Sequence, residues 1–289
     1  MIEFRKPMAK EVRCVKKCLK TLVTAAAAAA AVTVVLTAPG RAEEQKKAPF
    51  RGKNIAHRGL HTPDRSVPEN SLSAFRAAVE AGYGVEFDVH ITADGELVVF
   101  HDDTLLRMCG TDLRIDDLTL EEIRSYTLAD TEEQIPLLSE VLEVIGGRTP
   151  IVLELKRGKQ NRALCEKTRA ALLQYTGDVC IESFDPTIVR WWRKNAPEVL
   201  RGQLSCTVKQ YGKELPKPAA FALSRLLTNF LGRPQFIAYG VKGRKKPLTV
   251  RLCEALGAMR VCWTSHSPIY EEDNDTVIFE YYRPRTKFK

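Results

Sequence analysis

Few features of this sequence announce their chemistry on sight. Among its eight cysteines, none of the six that follow Cys18 stands close to another, so zinc spacing is missing. No cysteine closely follows the apolar N-terminal stretch, which leaves no lipid-attachment signal there. There is no internal repeat, and no low-complexity tract beyond one alanine run. A basic excess is absent from the body of the chain. Residues 1–53 hold 12 of the 44 Lys/Arg and 4 of the 36 Asp/Glu, which leaves 32 of each sign in the rest. The formal charge of +8 therefore belongs to the leader, and a neutral body opposes nucleic acid as partner. A glycine-rich phosphate turn is also missing after the first predicted strand, which argues against an open dinucleotide-binding sheet.

What is present starts with the leader. Arg5, Lys6, Lys10, Arg13, Lys16, Lys17 and Lys20 precede the uncharged stretch "TLVTAAAAAAAVTVVLTA". Positive charge on that flank keeps the N-terminus in the cytoplasm and sends the following chain across the membrane. The sequence then divides into a basic cytoplasmic leader (1–20), a transmembrane anchor or signal segment (21–38), a polar linker (39–53) and one large domain (54–289). The apolar segment reads as an anchor that holds an extracytoplasmic domain to the cell membrane. The alternative is secretion after cleavage at the small residues Gly40 and Ala42.

From Asn54 onward short apolar runs alternate with amphipathic segments. "NIAH" is a first strand. "SLSAFRAAVEAG" is a helix with Asn70 or Ser71 as cap and Gly82 as stop. "GVEFDVHIT" and "ELVVFHD" are strands joined by a hairpin-type turn at Asp94-Gly95. "PIVLELK", "VCIESF", "VLRGQL", "FIAYGV", "MRVCWT" and "TVIFEY" complete the strand set, with helical stretches between most of them. Such alternation argues a parallel sheet with crossovers, and about eight strands in this length predict an α/β (β/α)8 TIM barrel. The run from Cys206 to Phe236 is long, and its amphipathic half "AAFALSRLLTNFLG" reads either as a barrel helix or as a helix that lines the substrate mouth or rests on the membrane surface.

Strand side chains alternate between faces, so Glu86, Asp88 and His90 share one face and Val85, Phe87 and Val89 the other. With the apolar set against covering helices, the carboxylates point into the barrel. Two carboxylates that close need positive charge between them, and a hard divalent cation is a simple remedy. Glu154 and Lys156 repeat the pattern at the end of "PIVLELK", where Glu154 is a further oxygen ligand and Lys156 meets an anionic group. His57 and His101 each end a strand beside this acidic cluster, which suits acid–base work. Arg58 offers a forked donor for a phosphate or for Glu69.

The runs "IAHRGLHTPDRSVPENSLSAF", "GVEFDVHITADGELVVFHDDTLLRMCG", "IPLLSEVLEV" and "IVLELK" resemble the glycerophosphodiester phosphodiesterase family, of the bacterial, N-terminally membrane-anchored type. HRG, PEN, E-x-D, DG, HD and E-x-K occur in the family's order and spacing. The resemblance implies a phosphodiesterase TIM barrel that hydrolyses glycerophosphodiesters to glycerol 3-phosphate and an alcohol. It implies Glu86, Asp88 and Glu154 as ligands of one divalent cation, Mg²⁺ or Ca²⁺. His57 and His101 become the acid–base pair, with Arg58 and Lys156 around the phosphate and Glu69 supporting the first His-Arg. Trp263, at a late strand end, is a candidate for packing on the glycerol. An apolar lip near the 206–236 run points to a lysophospholipid-like substrate and a lysophospholipase D-like activity as the alternative. A non-catalytic binder of glycerophosphate polymers is the reading from another class.

Overall fold

The computed structural model describes residues 7–212, 215–241 and 245–289, with the backbone alone for residues 7–15. Arg5 and Lys6 of the basic leader lie outside the described residues.

The strands are β1 (Lys53–His57), β2 (Gly84–Ile91), β3 (Leu97–Val99), β4 (Ile151–Leu155), β5 (Val179–Ser183), β6 (Leu200–Ser205), β7 (Phe236–Gly240), β8 (Met259–Ser265) and β9 (Thr276–Phe279). Parallel pairing runs from β1 to β2, skips to β4, and continues in chain order to β9. β9 then pairs with β1 and closes the ring. The result is the predicted (β/α)8 barrel. β3 stands outside the ring as the antiparallel partner of β2, across the predicted Asp94-Gly95 turn. His101 therefore follows a hairpin strand and not a barrel strand.

The helices are α1 (Pro7–Thr37), α2 (Glu44–Lys47), α3 (Leu72–Glu80), α4 (Leu106–Cys109), α5 (Leu120–Ile123), α6 (Leu138–Ile145), α7 (Asn161–Leu173), α8 (Pro186–Asn195), α9 (Lys217–Ser224), α10 (Asn229–Gly232) and α11 (Leu248–Ala255). Ser71 caps α3, its hydroxyl accepting from the Ala74 amide. Val85, Phe87, Val89, Leu153 and Ile181 face outward and pack on α3, α6, α7 and α8 through Phe75, Val141, Ile145, Leu164 and Trp192.

The barrel interior is divided by height. Ile55, Val152, Cys180, Leu200, Phe236, Met259 and Ile278 fill its lower half. Gly202 is required there, because a Cβ on it would lie 2.1 Å from the Phe236 ring. Two residues further up four of these strands the inward positions turn polar, at His57, Glu154, Glu182 and Glu280, and β2 adds Glu86 and Asp88.

Residues 39–53, expected as a linker, seal the barrel floor instead. Phe50 is buried against the lower core. The Gly40 amide donates to Pro234 O, and Gln235 donates to Arg41 O. The polar composition of the stretch hid this, because a single Phe covers the open end. The last turn of α1 docks at the same end: Asn229 donates to Thr37 O, and Arg233 to Val35 O and Ala38 O. Residues 16–32 of α1 are exposed. Lys16–Thr37 is long and apolar enough to cross a membrane. The helix thus joins the barrel at the floor, opposite the strand C-termini. The run after Cys206 forms two short helices, broken where Leu226 takes a φ of +56°. α10 packs on α8, and α9 stands at the mouth.

Candidate active site

Parallel register builds the acidic cluster. Asp88 of β2 lies beside Glu154 of β4, and Glu154 beside Glu182 of β5. Carboxylate oxygens of Glu86, Asp88 and Glu154 all come within 4.8 Å of one another, and all three residues are buried. Positive groups reach only part of the cluster. Lys156 Nζ donates to Asp88 Oδ1 at 3.3 Å and lies 3.0 Å from Glu154 Oε1. Asn70 Nδ2 donates to Asp88 Oδ2 at 3.0 Å, and the Arg58 amide to Glu86 Oε2 at 3.1 Å. Burial works against the charge of Asp88, yet Lys156, His101, Arg58 and the Asn70 amide outweigh it and hold its pKa well below the usual range. For Glu86, burial followed by repulsion from Asp88, Glu182 and Glu154 outweighs Arg58 and raises its pKa well above normal. Burial, opposed by Lys156 and aided by Asp88, pushes Glu154 up to about 7. Glu182 is raised by burial and its acidic neighbours, and its Oε2 has no hydrogen-bond partner among the described residues. A pocket with surplus buried carboxylates and an orphaned oxygen fits a hard divalent cation with oxygen ligands.

The two histidines flank this cluster, each against a carboxylate. His57 Nδ1 lies 3.4 Å from Glu280 Oε2, and its Nε2 faces Glu86 Oε2 at 3.9 Å. Burial, then Arg58, lower its pKa to about 4 against the pull of Glu280, so it is neutral at pH 7. His101 Nδ1 lies 2.5 Å from Asp102 Oδ1. Its pKa is also lowered, by burial and Lys156, while Asp88 and Asp102 oppose the shift. Arg107 spans from Asp102 to Glu69, donating Nε to Asp102 Oδ2 at 2.6 Å and Nη2 to Glu69 Oε1 at 2.6 Å. Glu69 in turn accepts from Arg58 Nη1 at 2.7 Å. Burial opposes the Glu69 charge, but Arg107 and Arg58 draw its pKa down to about 2. One ionic chain thus links the surroundings of both histidines.

The turn that carries His57 and Arg58 is strained. Arg58 and Asn70 take positive φ values of +53° and +57°, and the Asn70 amide donates to Arg58 O at 2.9 Å. Gly59 follows at +78°, where a Cβ would meet Ala74 at 2.8 Å. His90 points inward below His101, its Nε2 3.4 Å from His101 O.

Trp263 is half buried, donates Nε1 to Ala238 O at 2.9 Å, and meets Phe184 edge to face at 5.4 Å. Both line a cavity of about 860 Å³ that runs from Glu154 and Lys156 to Tyr211, Leu215 and Leu223. Of the site residues expected from the sequence, His57, Arg58, Glu154, Lys156 and Trp263 lie at or near barrel-strand C-termini, Glu86 and Asp88 lie within β2, Glu69 lies in the loop before α3, and His101 follows the hairpin strand β3. The sequence reading missed Glu182, Asp102, Arg107, His61 and Glu280. Strand alternation in "VCIESF" and "IFEYY" was the available signal for Glu182 and Glu280.

The sequence profile described as the glycerophosphoryl diester phosphodiesterase family matches residues 57–281. A glycerophosphodiester phosphodiesterase of Caldanaerobacter subterraneus subsp. tengcongensis is 38% identical over 161 residues, covering 52% of this chain and 65% of that protein. A human lysophospholipase D is 32% identical over 155 residues, covering 49% of this chain and 48% of that protein. The chain thus spans less than two thirds of the length of either relative. Among solved structures, a phosphodiesterase of Oleispira antarctica in complex with the product sn-glycerol-3-phosphate superposes with a TM-score of 0.64 at 24% identity, covering 79% of this chain and 93% of that one. A Thermotoga maritima glycerophosphodiester phosphodiesterase gives 0.59 at 26% identity, covering 78% and 93%.

Proposed function

The chain belongs to the glycerophosphoryl diester phosphodiesterase family, and we propose on that footing that it hydrolyses glycerophosphodiesters to glycerol 3-phosphate and an alcohol. The observation that carries this reading is the placing of two imidazoles, each beside a carboxylate, around one buried acidic cluster. Glu86, Asp88 and Glu154 would hold one divalent cation, Mg²⁺ or Ca²⁺. When bound, it would offset charge on the phosphate oxygens.

The chain's own groups do the rest. His57 is neutral at pH 7 and accepts the proton of the glycerol hydroxyl, which attacks the phosphorus from within the substrate. His101 donates a proton to the leaving alkoxide, with Asp102 against Nδ1 supporting its cation against burial and Lys156. Water then opens the cyclic phosphate. Lys156 and Arg58 face the phosphate, and Glu69 and Arg107 hold Arg58 in place. Trp263 packs on the glycerol.

A second reading keeps this chemistry and changes the substrate. The largely apolar far end of the cavity, at Phe184, Tyr211, Leu215 and Leu223, favours a lysophospholipid whose chain leaves the glycerol in that direction. In either case we place the barrel outside the cytoplasm, with α1 as anchor and the mouth turned away from the docked end of α1.

The test is release of glycerol 3-phosphate from glycerophosphocholine by the full chain in detergent, first with EDTA and then with added Mg²⁺ or Ca²⁺. Release that needs the cation is expected. With either cation, no glycerol 3-phosphate from this substrate and no choline from lysophosphatidylcholine micelles would overturn the proposal and leave the binding-module reading in front.

A further inference from the structure

His57, His61 and Glu280 form a second cluster of metal-type ligand atoms, apart from the three carboxylates. His57 and His61 sit on either side of the Arg58-Gly59-Leu60 turn. Glu280 follows β9, which lies beside β1 in the ring. Its Oε2 lies 3.4 Å from His57 Nδ1, and its Oε1 lies 3.4 Å from His61 Nε2. Both nitrogens are buried without a hydrogen-bond partner among the described residues, and the His61 side chain is only 5% exposed. One donor atom from each of the three residues lies within 4.8 Å of the other two, close enough to be drawn onto one shared ion. Tyr281 packs edge-on against His61 at 5.2 Å and limits its movement.

The donor chemistry differs from that of the first cluster. Three carboxylates select a hard ion, whereas two imidazoles and one carboxylate select a borderline ion such as Zn²⁺. Three protein ligands leave a fourth position for water. We propose that His57, His61 and Glu280 bind a zinc-type divalent cation, and that filling this site inhibits the enzyme. The ion takes the Nδ1 lone pair of His57. The proton of the neutral ring must then sit on Nε2, the atom facing the acidic cluster, which can no longer accept one. The inhibitory half rests on the acid–base role proposed for His57, and the binding half does not.

Co²⁺ is the probe, added to the full chain after chelation, with excess Mg²⁺ present to occupy the carboxylates. One equivalent of Co²⁺ should give the intense visible absorption of a four-coordinate ion. Zn²⁺ should displace it, and His61→Gln and Glu280→Gln should each abolish it. Absence of the band in the wild-type chain, or the same band in both variants, would overturn the proposal. In the turnover assay, Zn²⁺ inhibition should persist as Mg²⁺ is raised and should weaken in His61→Gln. Inhibition that vanishes with rising Mg²⁺ would show displacement at the carboxylates and refute the inhibitory site. If the protein turns over no substrate, the hydrolytic reading has failed, and the Co²⁺ spectrum still decides the binding site.

Discussion

A cation at Glu86, Asp88 and Glu154 has to compete with protons, and the competition has a calculable size. Burial, partly offset by Lys156, pushes Glu154 up to about 7. A group with that pKa is about 3% ionised at pH 5.5 and about three quarters ionised at pH 7.5. A cation that needs the ionised form should therefore bind about 25-fold more tightly at the higher pH, a gain of about 2 kcal/mol. Glu86 is raised as well and acts in the same sense. A salt-bridged carboxylate, already ionised at both pH values, would give no such dependence. The raised group holds a proton in the cation-free fold, and binding must release it. Isothermal titration of the full chain with Mg²⁺ at both pH values, in buffers of different ionisation enthalpy, measures affinity and protons released together. Tighter binding at pH 7.5, with proton release at pH 5.5, is expected. Equal affinity at the two pH values with no proton release would refute the argument that surplus buried carboxylates define the site.

Other consequences are more local. His57→Ala and His101→Ala should each lower kcat by about 10² to 10⁴ without loss of fold, the range for removal of a general acid or base. Near-normal turnover in either variant removes that residue from the pair. Phe50→Ala opens the barrel floor and should cost about 3–5 kcal/mol, read as a lower midpoint in denaturant. A change within error would show that the 39–53 stretch is a linker after all. Leu223→Asp puts a charge in the apolar end of the cavity. It should lower kcat/KM for a lysophospholipid relative to glycerophosphocholine by at least about tenfold. An unchanged ratio would count against the lipid reading.

Much of the site could be read from local pattern. Alternation in "GVEFDVHIT" places Glu86 and Asp88 inward, and the same rule in "PIVLELK" turns Glu154 to the mouth. These residues stand out because a charge on an otherwise apolar strand is costly to bury without a partner or an ion. Glu182 follows the same rule but stands alone in its strand, and only the β4–β5 register brings it to the cluster. Glu280 becomes a partner of His57 because the ring closes β9 onto β1, a contact across more than two hundred residues that no local periodicity contains. Asp102 and Arg107 depend on the small core of Phe100, Leu105, Met108 and Ile115, which folds the segment after β3 over the mouth. Phe50 was hidden by its polar neighbours. The long amphipathic run after Cys206 was legible as helix, but not its break at Leu226, where the backbone turns left-handed at a leucine.

The most direct test of the central claim is which phosphate ester bond breaks. Phosphorus NMR of glycerophosphocholine incubated with the full chain and Mg²⁺ follows both ester arms at once. The account predicts that the diester signal gives way to glycerol 3-phosphate, with choline released. Conversion to phosphocholine and glycerol, or a diester signal that persists with every divalent cation, would contradict it.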